Sequence, residues 1–146
     1  MGPATAPRRI LIIDDDEALT GALAPLLRAE GYRVRCAADG EEGIRLASEE
    51  PPDLILLDFM MPLKNGFDFC ADMQRIPCLR RAPVLVMTAF GQDIGEIHGV
   101  SMRQLPANIR GRLEKPFEAN VLLERVASAL EEDSAAGLQP EPMNAD

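Results

Sequence analysis

The sequence predicts an α/β protein in which a five-stranded parallel sheet carries helices on both faces. Short apolar runs alternate five times with longer amphipathic stretches, which is the pattern of parallel strands joined by helical crossovers. Two of these runs, DLILLD (Asp53–Asp58) and PVLVMT (Pro83–Thr88), are almost continuously apolar. Strands of that kind are typical of sheets buried on both faces, so a doubly wound arrangement is expected.

The first half of the chain predicts two strand–helix units. The run Arg9–Ile13 is rich in β-branched residues, which favours a strand. Asp16 is placed to cap the helix that follows, and Gly31 is placed to end it. Alternating polar and apolar residues predict a second strand at Tyr32–Ala37, and the turn after it leads to a helix at Glu41–Glu49.

The second half continues the alternation with one weak element. Helical spacing of apolar residues predicts helices at Phe67–Arg75 and Glu118–Glu132, with a short fifth strand at Gly111–Glu114. Between the fourth and fifth strands, several glycines and Pro106 interrupt the helical pattern. We therefore expect the fourth helix, within residues 91–111, to be irregular or shortened.

The composition predicts a single folded domain with disordered termini. The chain has 146 residues, of which 47% are apolar, enough for one ordinary hydrophobic core. Residues 1–7 and 133–146 are small, polar and proline-bearing, which is typical of disordered termini. The folded domain is therefore expected to span residues 8–132.

The net charge and the short apolar runs argue against nucleic acid and membrane as partners. Asp and Glu number 24 against 15 Lys and Arg, so the formal charge is −9, which disfavours direct nucleic-acid binding. The apolar runs are far shorter than the ~20 residues of a membrane span, and no secretory signal is visible. A cytoplasmic protein is expected, in which Cys36, Cys70 and Cys78 would be reduced, buried residues.

Charged or hydroxyl side chains stand at the ends of four predicted strands. They are, in strand order, Asp14, Asp15 and Asp16, then Asp58, Thr88 and Lys115. Parallel strands bring these ends to one sheet edge. Two unit charges about 4 Å apart repel by ~4 kcal/mol at an effective dielectric near 20, so the carboxylates need a cation, and Mg²⁺ suits them. The alternative for each acid taken singly is a helix cap or a solvated loop.

The blocks ILIIDDDEALTGAL, PPDLILLDFMMPLKNG, VLVMTAF and LEKPF together resemble the receiver domains of bacterial two-component response regulators, the CheY-like domains. The resemblance spans residues 8–132 and implies the flavodoxin-like, doubly wound fold. It implies that Asp58 accepts a phosphoryl group from the phosphohistidine of a histidine kinase or a phosphotransfer protein. Thr88 and Lys115 would bind the oxygens of that group, and the phosphorylated domain would switch a downstream protein target.

The same resemblance implies a magnesium site and a cis peptide bond. Asp15 would ligate Mg²⁺ directly and Asp14 through water, and Asp58 and the backbone carbonyl of Met60 would complete the metal site. The bond between Lys115 and Pro116 is expected to be cis, as is usual in the family.

The sequence departs from the family pattern before Lys115. Receivers usually carry an aromatic residue three places earlier, which turns inward on activation, whereas this chain has Arg112. Burying an unpaired guanidinium is costly, so we expect Arg112 to stay outside and switching to involve residues 91–111 instead. The alternative is a pseudo-receiver or phosphate-sink docking module with no such switch.

Two expectations concern the fate of the phosphoryl group. Met60 and Phe90 are large and apolar where the family positions the hydrolytic water, which predicts a long-lived phosphate. No enzymatic activity is expected beyond self-phosphorylation from a phosphodonor and slow autodephosphorylation.

A phosphatase of the haloacid dehalogenase type is the competing enzyme hypothesis. Asp14 and Asp16 fit its nucleophile block, but Ala18 stands where that block expects threonine or valine, and its later acidic pair is missing. The receiver resemblance also allows a homodimer through the face formed by the fourth and fifth predicted helices.

Overall fold

The computed structural model describes residues 7–59, 66–89 and 108–138. The strands are β1 (Arg9–Ile13), β2 (Arg33–Ala37), β3 (Leu54–Asp58), β4 (Val84–Ala89) and β5 (Ile109–Lys115). The helices are α1 (Glu17–Ala29), α2 (Gly40–Glu49), α3 (Gly66–Gln74) and α4 (Ala119–Leu138). In the part of the chain so described, no helix has the length and apolar character needed to cross a bilayer.

All five strands pair in parallel in the order β2-β1-β3-β4-β5, which confirms the predicted sheet. One core cluster packs the sheet against α2 and α3, and a second packs the other face against α1 and α4. The chain direction across the sheet reverses at β1, which lies between β2 and β3. A crevice at the carboxyl ends of β1 and β3 follows from that order.

The start and end of α1 follow the residues that the sequence singled out, and α2 has a cap of the same kind. The Asp16 carboxylate accepts a hydrogen bond from the backbone N–H of Leu19 at 3.1 Å, and α1 begins at the next residue, Glu17. Asp39 caps α2 in the same way, accepting from the N–H of Glu42 at 2.8 Å. Gly31 has a φ of 97°, the left-handed conformation in which a side chain would be strained.

Several element ends shift by one residue from the prediction, and two elements are longer by more than that. β5 is longer than the predicted Gly111–Glu114, because it pairs with β4 from Val84 to Ala89 across one register irregularity. The last helix continues to Leu138, past the expected end at Glu132, because no proline interrupts the chain before residue 140. The segment predicted as an irregular fourth helix falls mainly outside the described residues.

The cysteine prediction was correct for one residue of three. Cys70 is fully buried, and burial raises the pKa of its thiol to about 12, so it is an unreactive core residue. Cys36 and Cys78 are exposed, which makes their assignment to the core wrong. Cys36 lies on β2, the strand at the sheet's edge, where burial is incomplete even though Val34, two residues earlier on the same face, is buried.

A stability test of the packing is available at Gly66. A Cβ atom at Gly66 would overlap the buried ring of Phe59, and a ring cannot yield as a flexible side chain does. Gly66→Ala should therefore lower the free energy of unfolding by about 1–3 kcal/mol. Gly21→Ala is the matched control, because a Cβ there meets nothing within 4 Å inside α1, and it should stabilise by about 0.5–1 kcal/mol. Equal urea midpoints for the two variants would contradict this packing.

Candidate functional site

The strand ends meet at one edge of the sheet, as predicted. Asp14 follows β1 directly, Asp58 closes β3, and Lys115 closes β5. Thr88 lies one residue beyond Met87 of β4, which is the register partner of Asp58. The topology thus collects an acidic, a hydroxyl and an ammonium side chain at the carboxyl edge, where the crevice lies.

Three carboxylates form a cluster that can hold a metal ion. Asp14, Asp15 and Asp58 each offer an oxygen atom, and these atoms all lie within 4.8 Å of one another. Asp14 and Asp58 are buried, at 1% and 7% exposure, whereas Asp15 is exposed. Hard oxygen donors with one solvent-facing member fit Mg²⁺, which binds through one or two carboxylates and keeps several waters.

The Lys115 ammonium group lies beside the carboxylate cluster and supplies positive charge to it. Its Nζ lies 2.8 Å from Oδ2 of Asp14 and 3.7 Å from Oδ2 of Asp58. The other oxygen of Asp14 accepts the backbone N–H of Asp16 at 2.9 Å. Among the described residues, one ammonium faces three carboxylates, and this excess of negative charge favours the binding of a divalent cation.

The Thr88 hydroxyl is buried and has no hydrogen-bond partner among the described residues. An unsatisfied buried hydroxyl costs about 1–3 kcal/mol, so an acceptor placed beside it would be favoured. A group carrying acceptor oxygens, placed at the carboxyl ends of β3 and β4, would supply that partner.

Of the remaining predicted site residues, Arg112 lies at the surface, and Met60 and Phe90 lie outside the described residues. The Arg112 side chain is 39% exposed, and its guanidinium lies 3.9 Å from the Glu114 carboxylate, in agreement with the expectation that it stays outside. The Lys115–Pro116 bond is cis, as predicted. Met60 and Phe90 lie outside the described residues, so the expected carbonyl ligand and the predicted phosphate lifetime remain predictions.

Sequence reasoning missed two contacts around the site. It assigned Lys115 to a bound phosphoryl group and did not foresee its short contact with Asp14. It also missed Arg125, whose guanidinium donates to the backbone carbonyl of Arg112 at 2.7 Å and ties α4 to β5. Spacing along the chain contains no signal for either contact. The presence of three acids and one lysine at the strand ends indicates only that more than one acid must share the lysine.

The fold and the site define a class of protein that comparison with known sequences identifies. The chain belongs to the response regulator receiver domain family, which it matches over residues 10–127. It is 39% identical over 122 residues to the DNA-binding dual master transcriptional regulator RpaA of Synechocystis, covering 84% of this chain and 48% of that protein. The chain spans about half the length of the curated relatives that it matches.

Solved structures give the same result. A crystal structure described as a response regulator from Chloroflexus aurantiacus has a TM-score of 0.74 and 34% identity, covering 86% of this chain and 98% of that one. The receiver domain of the sensor histidine kinase PA1611 from Pseudomonas aeruginosa has a TM-score of 0.74 and 25% identity, covering 86% and 99%. That domain was crystallised with a magnesium ion coordinated in its active-site cleft.

Proposed function

We propose that this chain is a phosphoacceptor domain in which Asp58 takes a phosphoryl group from a phosphohistidine and the modified domain then switches a protein partner. The observation that carries the proposal is the meeting of Asp58 with two further carboxylates and the Lys115 ammonium at the sheet's carboxyl edge. A carboxylate nucleophile flanked by cations is the arrangement that aspartyl-phosphate formation needs. The donor would be a histidine kinase or a phosphotransfer protein.

Each side chain has a defined part in this step. An oxygen of Asp58 attacks phosphorus and forms an acyl phosphate while the bond to the histidine nitrogen breaks. Lys115, 3.7 Å from Asp58, neutralises charge on one phosphoryl oxygen, and the Thr88 hydroxyl donates to another. Such groups catalyse by positioning and charge neutralisation, since the chain has little covalent chemistry to perform beyond the attack itself.

The metal site is assigned from the same atoms. Asp15 is exposed and can bind Mg²⁺ directly together with Asp58. Asp14 has both oxygens engaged, by Lys115 and by the backbone N–H of Asp16, which favours contact with the ion through water. When bound, Mg²⁺ would supply positive charge to the phosphoryl oxygens and offset the repulsion among the three carboxylates.

The position of Arg112 supports a switching mechanism that does not use an inward-turning side chain at this position. Its guanidinium is partly exposed beside Glu114, and burying it would leave a charge without water, so it is not suited to an inward-turning role. We propose that the output involves residues 91–111, most of which lie outside the described residues. The competing function is a phosphate sink or docking module that binds phosphate without a change on that side.

Backbone NMR with beryllofluoride and Mg²⁺ separates these two functions. Beryllofluoride mimics the phosphoryl group on Asp58, so amides next to Asp58 and Thr88 should shift in either case. If the domain switches, amides of residues 91–114 should shift as well. Shifts confined to the Asp58 pocket would contradict the switch and leave the phosphate sink. The Asp58→Asn protein is the control and should show neither set of shifts.

A further inference from the structure

The strand that carries Lys115 lies at an edge of the sheet. Among the described strands, β5 pairs only with β4, and the register of that pair is irregular between Val84 and Leu85, near its amino end. A strand of this kind makes ladder hydrogen bonds on one side only, so its backbone needs other contacts to hold it in place. The position of Lys115, which closes β5, therefore depends on what else binds this strand.

Two contacts fix β5 to the helix α4. Leu113 is 2% exposed and belongs to the same core cluster as Leu122 and Val126 of α4. One residue earlier, the Arg112 backbone carbonyl accepts a hydrogen bond from the Arg125 guanidinium at 2.7 Å. This distance is at the short end for an N–H···O bond and the donor is charged, which places the bond in the stronger class. Apolar packing and one charged hydrogen bond thus hold the strand against the helix.

The Arg125 hydrogen bond closes a loop that contains Lys115. Donor and acceptor are 13 residues apart in the sequence, and the chain between them includes the end of β5, residues 116–118 and the start of α4. Closing a loop reduces the conformations that are open to the residues inside it. Lys115 comes three residues after the acceptor Arg112, so the restriction acts close to its own backbone.

The placement of Lys115 matters because its ammonium group acts at short range. Nζ lies 2.8 Å from Oδ2 of Asp14 and 3.7 Å from Oδ2 of Asp58. A displacement of about 1 Å in a site of this kind can lower a rate by about 10²-fold. A contact that fixes the end of β5 therefore bears on the rate of phosphoryl transfer as well as on stability.

We propose that Arg125 is a positioning residue that holds the end of β5, and through it the Lys115 ammonium, in place for phosphoryl transfer to Asp58. The inference rests on the proposed function of Asp58. Arg125 acts through the backbone of β5, because its hydrogen bond is made to the Arg112 carbonyl and not to the reacting atoms.

The other edge strand has a matching contact, which supplies the control. The Val34 carbonyl of β2 accepts a hydrogen bond from the guanidinium of Arg28, on α1, at 2.9 Å. Neither Lys115 nor any member of the carboxylate cluster lies on β2. Arg28→Met and Arg125→Met therefore each remove one positive charge and one arginine-to-carbonyl bond from an edge strand. Both arginines are exposed, so both variants should retain the fold.

The first measurement is the initial rate of phosphorylation by acetyl phosphate and Mg²⁺, followed by intact-protein mass spectrometry. Arg125→Met should lower this rate by about fivefold or more, since Lys115 is then less well placed. Arg28→Met should stay within about twofold of the unmodified chain, because its strand carries no site residue. Arg125→Lys keeps a donor for the same carbonyl and should also stay within about twofold. Equal rates for the two methionine variants, or a loss in Arg125→Lys as large as in Arg125→Met, would overturn the proposal.

The second measurement follows Lys115 without phosphoryl transfer. The chain has two lysines, Lys64 and Lys115, so ¹⁵N labelling of lysine side chains gives two Nζ signals. In the metal-free protein, Arg125→Met should move the Lys115 signal, because the contact with Asp14 changes, whereas Arg28→Met should not. An unmoved Lys115 signal would overturn the positioning role. If the unmodified chain gains no phosphoryl group, the proposed function fails, and the Nζ signal still tests whether Arg125 positions Lys115.

Discussion

Asp58→Asn should abolish the phosphorylation that acetyl phosphate and Mg²⁺ produce in the unmodified chain. The amide is nearly isosteric with the carboxylate but has no anionic oxygen to attack phosphorus. Asp58 is buried at the end of β3 and lies 3.7 Å from Lys115, so the substitution removes the nucleophile and preserves the fold. Intact-protein mass spectrometry would register the loss as the absence of the added phosphoryl group.

Asp39→Asn is the control for that experiment. Asp39 also follows a strand at the carboxyl edge of the sheet, but its carboxylate caps α2, and asparagine caps helices equally well. This variant should be phosphorylated to the same extent as the unmodified chain. Full phosphorylation of the Asp58→Asn protein would show that another residue is the acceptor.

Lys115→Ala should lower the free energy of unfolding of the metal-free protein by about 3 kcal/mol, the lower end of the range for breaking a buried ion pair. The Asp14 side chain is completely buried, and Lys115 is its cation at 2.8 Å. Without the ammonium, Asp14 would remain beside two other carboxylates with no cation paired to it in the described part of the chain. Urea denaturation in the presence of a chelator measures the loss.

Two further variants test whether the loss of stability comes from the unpaired Asp14 charge. Adding Asp14→Asn to Lys115→Ala should recover much of the stability, because the uncompensated charge is then removed. Arg112→Gln should cost no more than about 1 kcal/mol, since its pair with Glu114 is exposed and 3.9 Å apart. A Lys115→Ala loss no larger than that of Arg112→Gln would show that the Asp14 pair contributes little.

The sheet could be predicted from the sequence because its strands are unambiguous. Leu54–Asp58 is buried along its whole length, and only a strand covered on both faces accommodates such a run between turn signals. The cap at Asp16 was equally readable, because its chemistry is local. The full length of β5 was not readable, since Ile109 and Arg110 lack an apolar alternation and join the sheet only through pairing with β4.

The sequence predicted which residues form the candidate site, but it predicted their geometry only in part. Strand ends in a parallel sheet meet at one edge, so Asp14, Asp58 and Lys115 had to converge once the strands were assigned. Which acid would take the lysine depends on side-chain reach in three dimensions, and the sequence contains no measure of that. The ion pairs of Arg9, Arg33 and Arg35 with Glu50 were missed for the same reason, because these arginines become neighbours only through the register of β1 with β2.

The most direct measurement is the mass of the unmodified chain after incubation with acetyl phosphate, with Mg²⁺ and with a chelator in its place, followed by peptide mapping. A phosphoryl acceptor with this carboxylate cluster should gain one phosphoryl group on the peptide containing Asp58, and the gain should depend on Mg²⁺. No gain with Mg²⁺ present, or a gain on a peptide that lacks Asp58, would contradict the assignment of this sheet edge as the acceptor site.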